Sequence, residues 1–268
     1  MDFHYSMPSY DHKLKINLFE TRYNLYEISY MNKQKIRIFP SILSGDYGYL
    51  ATEAKKIEEA GADGIHIDIM DGHFVRNLAF SPKAVAAINR ATDLFLDVHI
   101  MVYNPFDYIE ELITAGADSI TFHFEATEDV ADILQYIHKC NIKAGLAFSP
   151  STSISMIPQY LPLCDHVLLM TVDPGFGGQS FLPQVLEKIT FVRDFCNKHS
   201  IYGRQNKISK PTKKQMSQVP FIIQVDGGIN QKTGAQCIAA GANVLIAGSY
   251  LFEGDMQHKI TKLKELSL

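Results

Sequence analysis

A four-residue phrase recurs at three points: Ala60-Gly61-Ala62-Asp63, Ala115-Gly116-Ala117-Asp118 and Ala240-Gly241-Ala242-Asn243. Each phrase follows an amphipathic run and precedes an apolar one. A glycine in that place takes the left-handed position that stops a helix, and the chain turns into a strand two residues later. Repeated helix-to-strand junctions demand a parallel sheet with helical crossovers. Strand-like runs are expected at 36–43, 64–70, 94–101, 120–124, 142–148, 167–171, 221–225 and 244–247. Helices are expected after Asp46, from Ser81-Pro82, after Asn104-Pro105, from Glu128, after Ser151-Thr152, and from Ser180, Gln231 and Met256. Eight such units close into an α/β fold, a (β/α)8 TIM barrel, and 268 residues suit one barrel domain. An open doubly wound sheet is the rival, but the GxGxxG turn expected after its first strand is missing.

Residues 36–268 make up this barrel. Residues 1–35, rich in Tyr, Asn and Lys, read as an N-terminal extension that the core does not need. Residues 200–219 carry Tyr202, Arg204, Lys207, Lys210, Lys213 and Lys214 without an acidic residue. This basic surface insertion falls in a helix-to-strand connection, on the end of a barrel opposite its chemistry.

Two strands carry more than packing requires. In 65–70 the isoleucines alternate with His66, Asp68 and Met70; in 96–101, Asp97, His99 and Met101 share one face. The seventh strand ends Gln224-Val225-Asp226-Gly227-Gly228, with Gln224 and Asp226 on one face. Barrel enzymes build their sites where strands end. Two imidazoles and two carboxylates (His66, Asp68, His99, Asp226) converging there match one divalent metal ion, Zn, Fe, Mn or Co. The plain alternative is a pair of satisfied core histidines with capping aspartates. Met70 and Met101 read equally well as core packing or as a dry, polarisable wall.

Glycine-rich turns follow three successive strands: 173–180 with Gly175, Phe176, Gly177 and Gly178, then Gly227-Gly228, then Gly248-Ser249. Glycines let backbone N–H groups approach an anion, and phosphate sites after the last strands recur in this fold. The first of these loops also has glycines to absorb a closing motion. Metal, paired carboxylates and a phosphate clamp suggest proton abstraction beside a carbonyl of a small phosphorylated ketose. Asp68 removes the proton and Asp226 returns it, or the reverse, through a metal-stabilised enediolate.

The net charge of −4 argues against a generic nucleic-acid partner. No apolar run reaches membrane-spanning length. The four cysteines (140, 164, 196, 237) show no metal-type spacing, so reduced thiols and a cytoplasmic location are expected. Self-association into a homo-oligomer is left open.

Pro40-Ser41-Ile42-Leu43-Ser44, the run from His66 to Val75, Asp97-Val98-His99-Ile100-Met101, 170–179, Val225-Asp226-Gly227-Gly228-Ile229 and Ala247-Gly248-Ser249 resemble the ribulose-phosphate 3-epimerase family. The resemblance runs from about residue 38 to the C-terminus. It implies interconversion of D-ribulose 5-phosphate and D-xylulose 5-phosphate in the pentose phosphate pathway. It also implies metal ligands at His66, Asp68, His99 and Asp226, with Asp68 and Asp226 as acid and base and Ser41 touching substrate. The backbone of Gly175, Phe176, Gly177, Gly178, Gly227, Gly228, Gly248 and Ser249 would hold phosphate or sugar. Arg76 stands where the family usually has Pro, which concerns only the local loop. D-allulose-6-phosphate 3-epimerase is the near alternative, and a non-catalytic sugar-phosphate-binding barrel another. Decarboxylases using a metal-independent Asp-x-Lys strand are disfavoured, since Met70 occupies the Lys place.

Overall fold

The computed structural model describes residues 36–203 and 220–266; the extension 1–35 and most of the basic segment lie outside the described residues. Among the described residues nine strands form one sheet: β1 (Arg37–Pro40), β2 (Ile65–Asp71), β3 (Leu78–Ala79), β4 (Leu96–Met101), β5 (Ser119–His123), β6 (Lys143–Phe148), β7 (His166–Met170), β8 (Ile222–Asp226) and β9 (Val244–Ala247). β3 is a two-residue antiparallel flap on β2. The other eight run parallel in the order β1-β9-β8-β7-β6-β5-β4-β2. The two free edges meet, because Ser41 forms a parallel bridge with His66 and the Asp63 amide donates to the Ile38 carbonyl at 3.1 Å. The sheet is a closed barrel.

Helices α1 (Leu50–Glu59), α2 (Pro82–Asn89), α3 (Ile109–Ala115), α4 (Val130–Lys139), α5 (Val185–His199), α6 (Gln231–Ala240), α7 (Ser249–Phe252) and α8 (Met256–Lys264) pack outside. The repeated glycines act as expected: Gly61, Gly116 and Gly241 follow helix ends at φ of 78°, 102° and 116°. Pro82 occupies the first turn of α2 after Ser81. Asp46 caps a 3-10 turn, Tyr47–Tyr49, that leads into α1.

Two helix expectations need correction. No α-helix follows Ser151-Thr152; two 3-10 turns, Ile154–Met156 and Leu161–Leu163, make that crossover. Pro158 and Pro162 leave no uninterrupted stretch for an α-helix. The helix expected from Ser180 starts at Val185, just after Pro183.

Alternation along the strands separates two environments. Ile65, Ile67, Ile69, Val98 and Ile100 face outward into the main core between sheet and helices. Phe39, Leu168, Ile222, Val244 and Ile246 fill the barrel interior. Toward the C-terminal ends of the strands the interior also carries His66, Asp68 and His99, with Met70 and Met101 beside them. No helix among the described residues is long and apolar enough to cross a membrane.

Candidate active site at the mouth of the barrel

The register of β2 against β4 sets Asp68 beside His99 and Met70 beside Met101. His66, Asp68 and His99 point inward and are buried. Asp226 ends β8 and reaches the same point from another side of the barrel. Asp68 Oδ1 lies 3.0 Å from His99 Nδ1 and 3.3 Å from His66 Nε2. Asp226 Oδ2 lies 3.9 Å from His66 Nε2. One donor atom from each of the four residues lies within 4.8 Å of the others. Ser41, at the seam, donates a 2.7 Å hydrogen bond to Asp68 Oδ2 and so fixes the carboxylate plane.

Asp97, one register step below, holds His66. Its Oδ2 is 2.9 Å from His66 Nδ1; a carboxylate accepts, so the hydrogen is on Nδ1 and the lone pair on Nε2. That Nε2 is buried and makes no hydrogen bond. An orphaned imidazole lone pair facing two carboxylates is the arrangement a cation completes. The electrostatics agree. Burial works against a charged His66, yet Asp68 and Asp97 outweigh it and raise the imidazole well above its usual range, so without an ion a proton is drawn to the Nε2 position that a cation would fill. Burial also raises Asp68, but His66 and His99 bring it down. Asp226 is pushed up to about 7, first by burial and then by the Asp68 carboxylate. The cluster is short of positive charge, and two imidazoles with two carboxylates suit a borderline divalent ion.

A cleft of about 490 Å³ opens beside the cluster, with Met70, Met101 and Met170 in its lining. Gly175, Phe176, Gly177, Gly178, Gly227, Gly228, Gly248 and Ser249 line it too. Gly228 sits at φ +64°, where a Cβ would come within 2.8 Å of the Phe181 amide nitrogen, so only glycine fits without strain. Thr171 anchors the Asp226-Gly227 turn, its amide donating to Asp226 O at 2.7 Å and its hydroxyl to Gly227 O at 2.5 Å. The 173–180 loop is stapled by Gln179, which donates to Asp173 O and Phe176 O. Asn77 ties it to the β2 side through a 2.7 Å bond to Gly175 O.

Sequence reasoning put Asp97 on the inward face without giving it a role, and missed Met170, His123 and Glu125. Met170 pairs with Asp226 across β7 and β8. His123 ends β5, with its Nε2 3.0 Å from His99 Nε2 and its Nδ1 3.0 Å from Glu125 Oε2. Burial pushes Glu125 up, but His123, Thr152 and the Ser149 amide bring it down to about 2. The available signal was the inward set Ser119, Thr121 and His123, which repeats the polar alternation of β2 and β4. Asp71, by contrast, turns away from the cluster and accepts from the amides of His73, Phe74 and Tyr103. Arg76 is exposed and touches none of the four clustered residues.

Fold and cluster together define a class: a (β/α)8-barrel enzyme with a His-Asp donor set at its catalytic end. Comparison with known proteins narrows it. The Ribulose-phosphate 3 epimerase family matches residues 37–252. A ribulose-phosphate 3-epimerase of Chlamydia pneumoniae is 52% identical over 238 residues, 87% of this chain and 97% of the relative. One of Bacillus subtilis (strain 168) is 40% identical over 85% of this chain and 98% of the relative. The chain belongs to the ribulose-phosphate 3-epimerase family, a family of isomerases. In solved structures the fold resembles Mycobacterium tuberculosis tryptophan synthase, with a TM-score of 0.59 and 15% identity over 94% of this chain and 97% of that one. It also resembles a 3-hexulose-6-phosphate synthase, with a TM-score of 0.59 and 17% identity over 87% and 100% of the two chains.

Proposed function

We propose that this chain interconverts D-ribulose 5-phosphate and D-xylulose 5-phosphate by proton transfer at C3, in the cytoplasm, as a step of pentose phosphate metabolism. The observation that carries this reading is the meeting of Asp68 and Asp226 with His66 and His99 at the floor of the cleft. Asp68 and Asp226 arrive on well-separated strands, so each addresses one face of the sugar; one takes the C3 proton and the other returns it from the opposite side. Ser41 keeps Asp68 aimed, and the Thr171-anchored turn aims Asp226. His66, Asp68, His99 and Asp226 would hold a divalent ion, which would supply Lewis acidity toward the negative charge developing on the sugar oxygens. Met70, Met101 and Met170 exclude water from that charge and offer it no proton. The backbone of Gly177-Gly178, Gly227-Gly228 and Gly248-Ser249 receives the phosphate, and the 173–180 loop closes over the sugar. The extension 1–35 and the basic segment take no part.

A coupled assay tests this reading with both pentulose 5-phosphates and with allulose 6-phosphate, before and after chelation and with Zn²⁺, Fe²⁺, Mn²⁺ or Co²⁺ added back. Turnover of the pentuloses, lost with the chelator and recovered with the ion, is the expected result. Faster turnover of allulose 6-phosphate would transfer the activity to the hexulose. Full turnover in chelator would remove the cation.

A further inference from the structure

We infer that His123 and Glu125 form a hydrogen-bonded relay that fixes which nitrogen of His99 faces the cation, making both positioning residues of the site. The inference rests on the cation reading above. Four atoms stand in line from the cluster to the barrel rim: His99 Nδ1, His99 Nε2, His123 Nε2 and His123 Nδ1. The two Nε2 atoms are 3.0 Å apart, and Glu125 Oε2 lies 3.0 Å beyond His123 Nδ1. At the inner end, His99 Nδ1 is 3.0 Å from Asp68 Oδ1.

Counting hydrogens along this line decides its polarity. A carboxylate only accepts, so Glu125 requires the hydrogen of His123 on Nδ1. That leaves His123 Nε2 as an acceptor, which requires the hydrogen of His99 on Nε2. The lone pair of His99 is then on Nδ1, directed at the cluster. Two neutral imidazoles therefore satisfy both outer contacts and leave one nitrogen free for an ion. Without an ion, the contact to Asp68 needs a third ring hydrogen, which two neutral rings do not have. Asp97 performs the same service for His66 in one step, as metal-bound imidazoles generally require.

The far end of the relay is itself held. Glu125 Oε1 accepts from the Ser149 amide at 2.9 Å and from the Thr152 hydroxyl. Lys188 of α5 donates to the carbonyls of Ser149 and Pro150 at 2.7 and 3.0 Å. His123 has no freedom to turn, being fully buried with the Phe74 ring 4.9 Å from its own.

The test uses the full chain. Long-range proton–nitrogen NMR of ¹⁵N-histidine-labelled, Zn²⁺-loaded protein reads ring tautomers directly, with the His123→Phe spectrum assigning that residue. His123 is expected as the Nδ1–H form and His99 as the Nε2–H form; His123 found as Nε2–H overturns the relay. Co²⁺ affinity, measured by chelator competition, gives the second readout. Glu125→Gln is expected to bind about tenfold more weakly and His123→Phe up to about a hundredfold, the usual range for outer partners of metal ligands. Phe74→Leu, which alters packing on His123 but none of these hydrogen bonds, is expected to stay within about threefold of wild type. Equal loss in Phe74→Leu would make the effect one of packing and overturn the relay. So would wild-type affinity in both relay variants. If His123→Phe does not fold, Glu125→Gln and the wild-type tautomers decide. A wild-type chain that takes up neither ion would overturn the cation reading and the relay with it.

Discussion

The two halves of the cleft are built by different means. On the side of β2, β4 and β5, side chains do everything: His66, Asp68, His99 and His123 are buried, and most of their polar atoms are held by a named neighbour. On the side of the β7, β8 and β9 loops there are few side chains to speak of. Gly175, Gly178, Gly227 and Gly228 all lie at positive φ, and what they present is main chain. A cation needs specific donor atoms on rigid strands, because a small change in distance changes the ion it holds. An anion is served by peptide N–H groups, which every residue carries, provided the chain can bend closely enough. Substitutions should therefore act on chemistry in the first half and at Asp226, which reaches the cluster from the end of β8, and on affinity in the glycine loops.

That contrast is breakable. Asp226→Asn and Asp68→Asn are each expected to lower kcat by about 10³ to 10⁴-fold, the upper part of the range for a lost proton carrier. Loss confined to KM would put these residues on the binding side instead. His66→Ala is expected to abolish stoichiometric cation uptake, and turnover with it, by about a hundredfold or more. Metal analysis of the purified variant checks this, and a retained ion would remove His66 from the donor set. On the other side, Gly228→Ala forces a side chain to φ +64° and into the Phe181 amide. A strain of about 1–3 kcal/mol should raise KM about tenfold and leave kcat nearly intact. Ser249→Ala should change KM by about threefold at most, if the peptide N–H and not the hydroxyl receives the phosphate. Steady-state kinetics separate these cases, and a collapse of kcat in Ser249→Ala would end the division of labour.

The smallest effect on turnover is expected far from both halves. Asp165 precedes β7 and accepts from the Ala144 amide at 2.8 Å and from His138 Nε2 at 2.7 Å. Burial would raise this carboxyl, but His138 and Lys143 bring it from 3.8 to about 2. A depressed folded-state value stabilises the charged form, so the benefit is present above about 4 and is lost as pH falls through about 2. Asp165→Asn should cost about 2 kcal/mol at neutral pH with turnover unchanged. Its Tm deficit against wild type should shrink as the pH is lowered to about 2. A deficit independent of pH would mean that the carboxylate charge contributes nothing.

The same contrast explains what could be read without a structure. His66, Asp68, His99 and Asp226 were legible because strand alternation puts them on one face and the barrel puts that face inside. The glycine loops were legible as a candidate phosphate clamp, but composition says nothing about which N–H groups converge. His123 and Glu125 escaped because they sit at the end of β5 and just beyond it, and their role depends on a 3.0 Å contact between rings 24 positions apart. Met170 escaped for the same reason, its place being set by pairing with β8. The absent helix between β6 and β7 was signalled by Pro158 and Pro162, which the reading of a helix after Ser151-Thr152 did not take into account.

The seam of the barrel has a consequence for biosynthesis. Ser41, whose hydroxyl orients Asp68, takes its own position from its amide bond to Ala247 O at 3.0 Å in the final strand. A growing chain thus carries His66, Asp68, His99 and Asp226 before it has the strand that positions Ser41 against Asp68. On the proposed function, a polypeptide stopped short of β9 would be expected to carry the clustered side chains without the contact that orients Asp68.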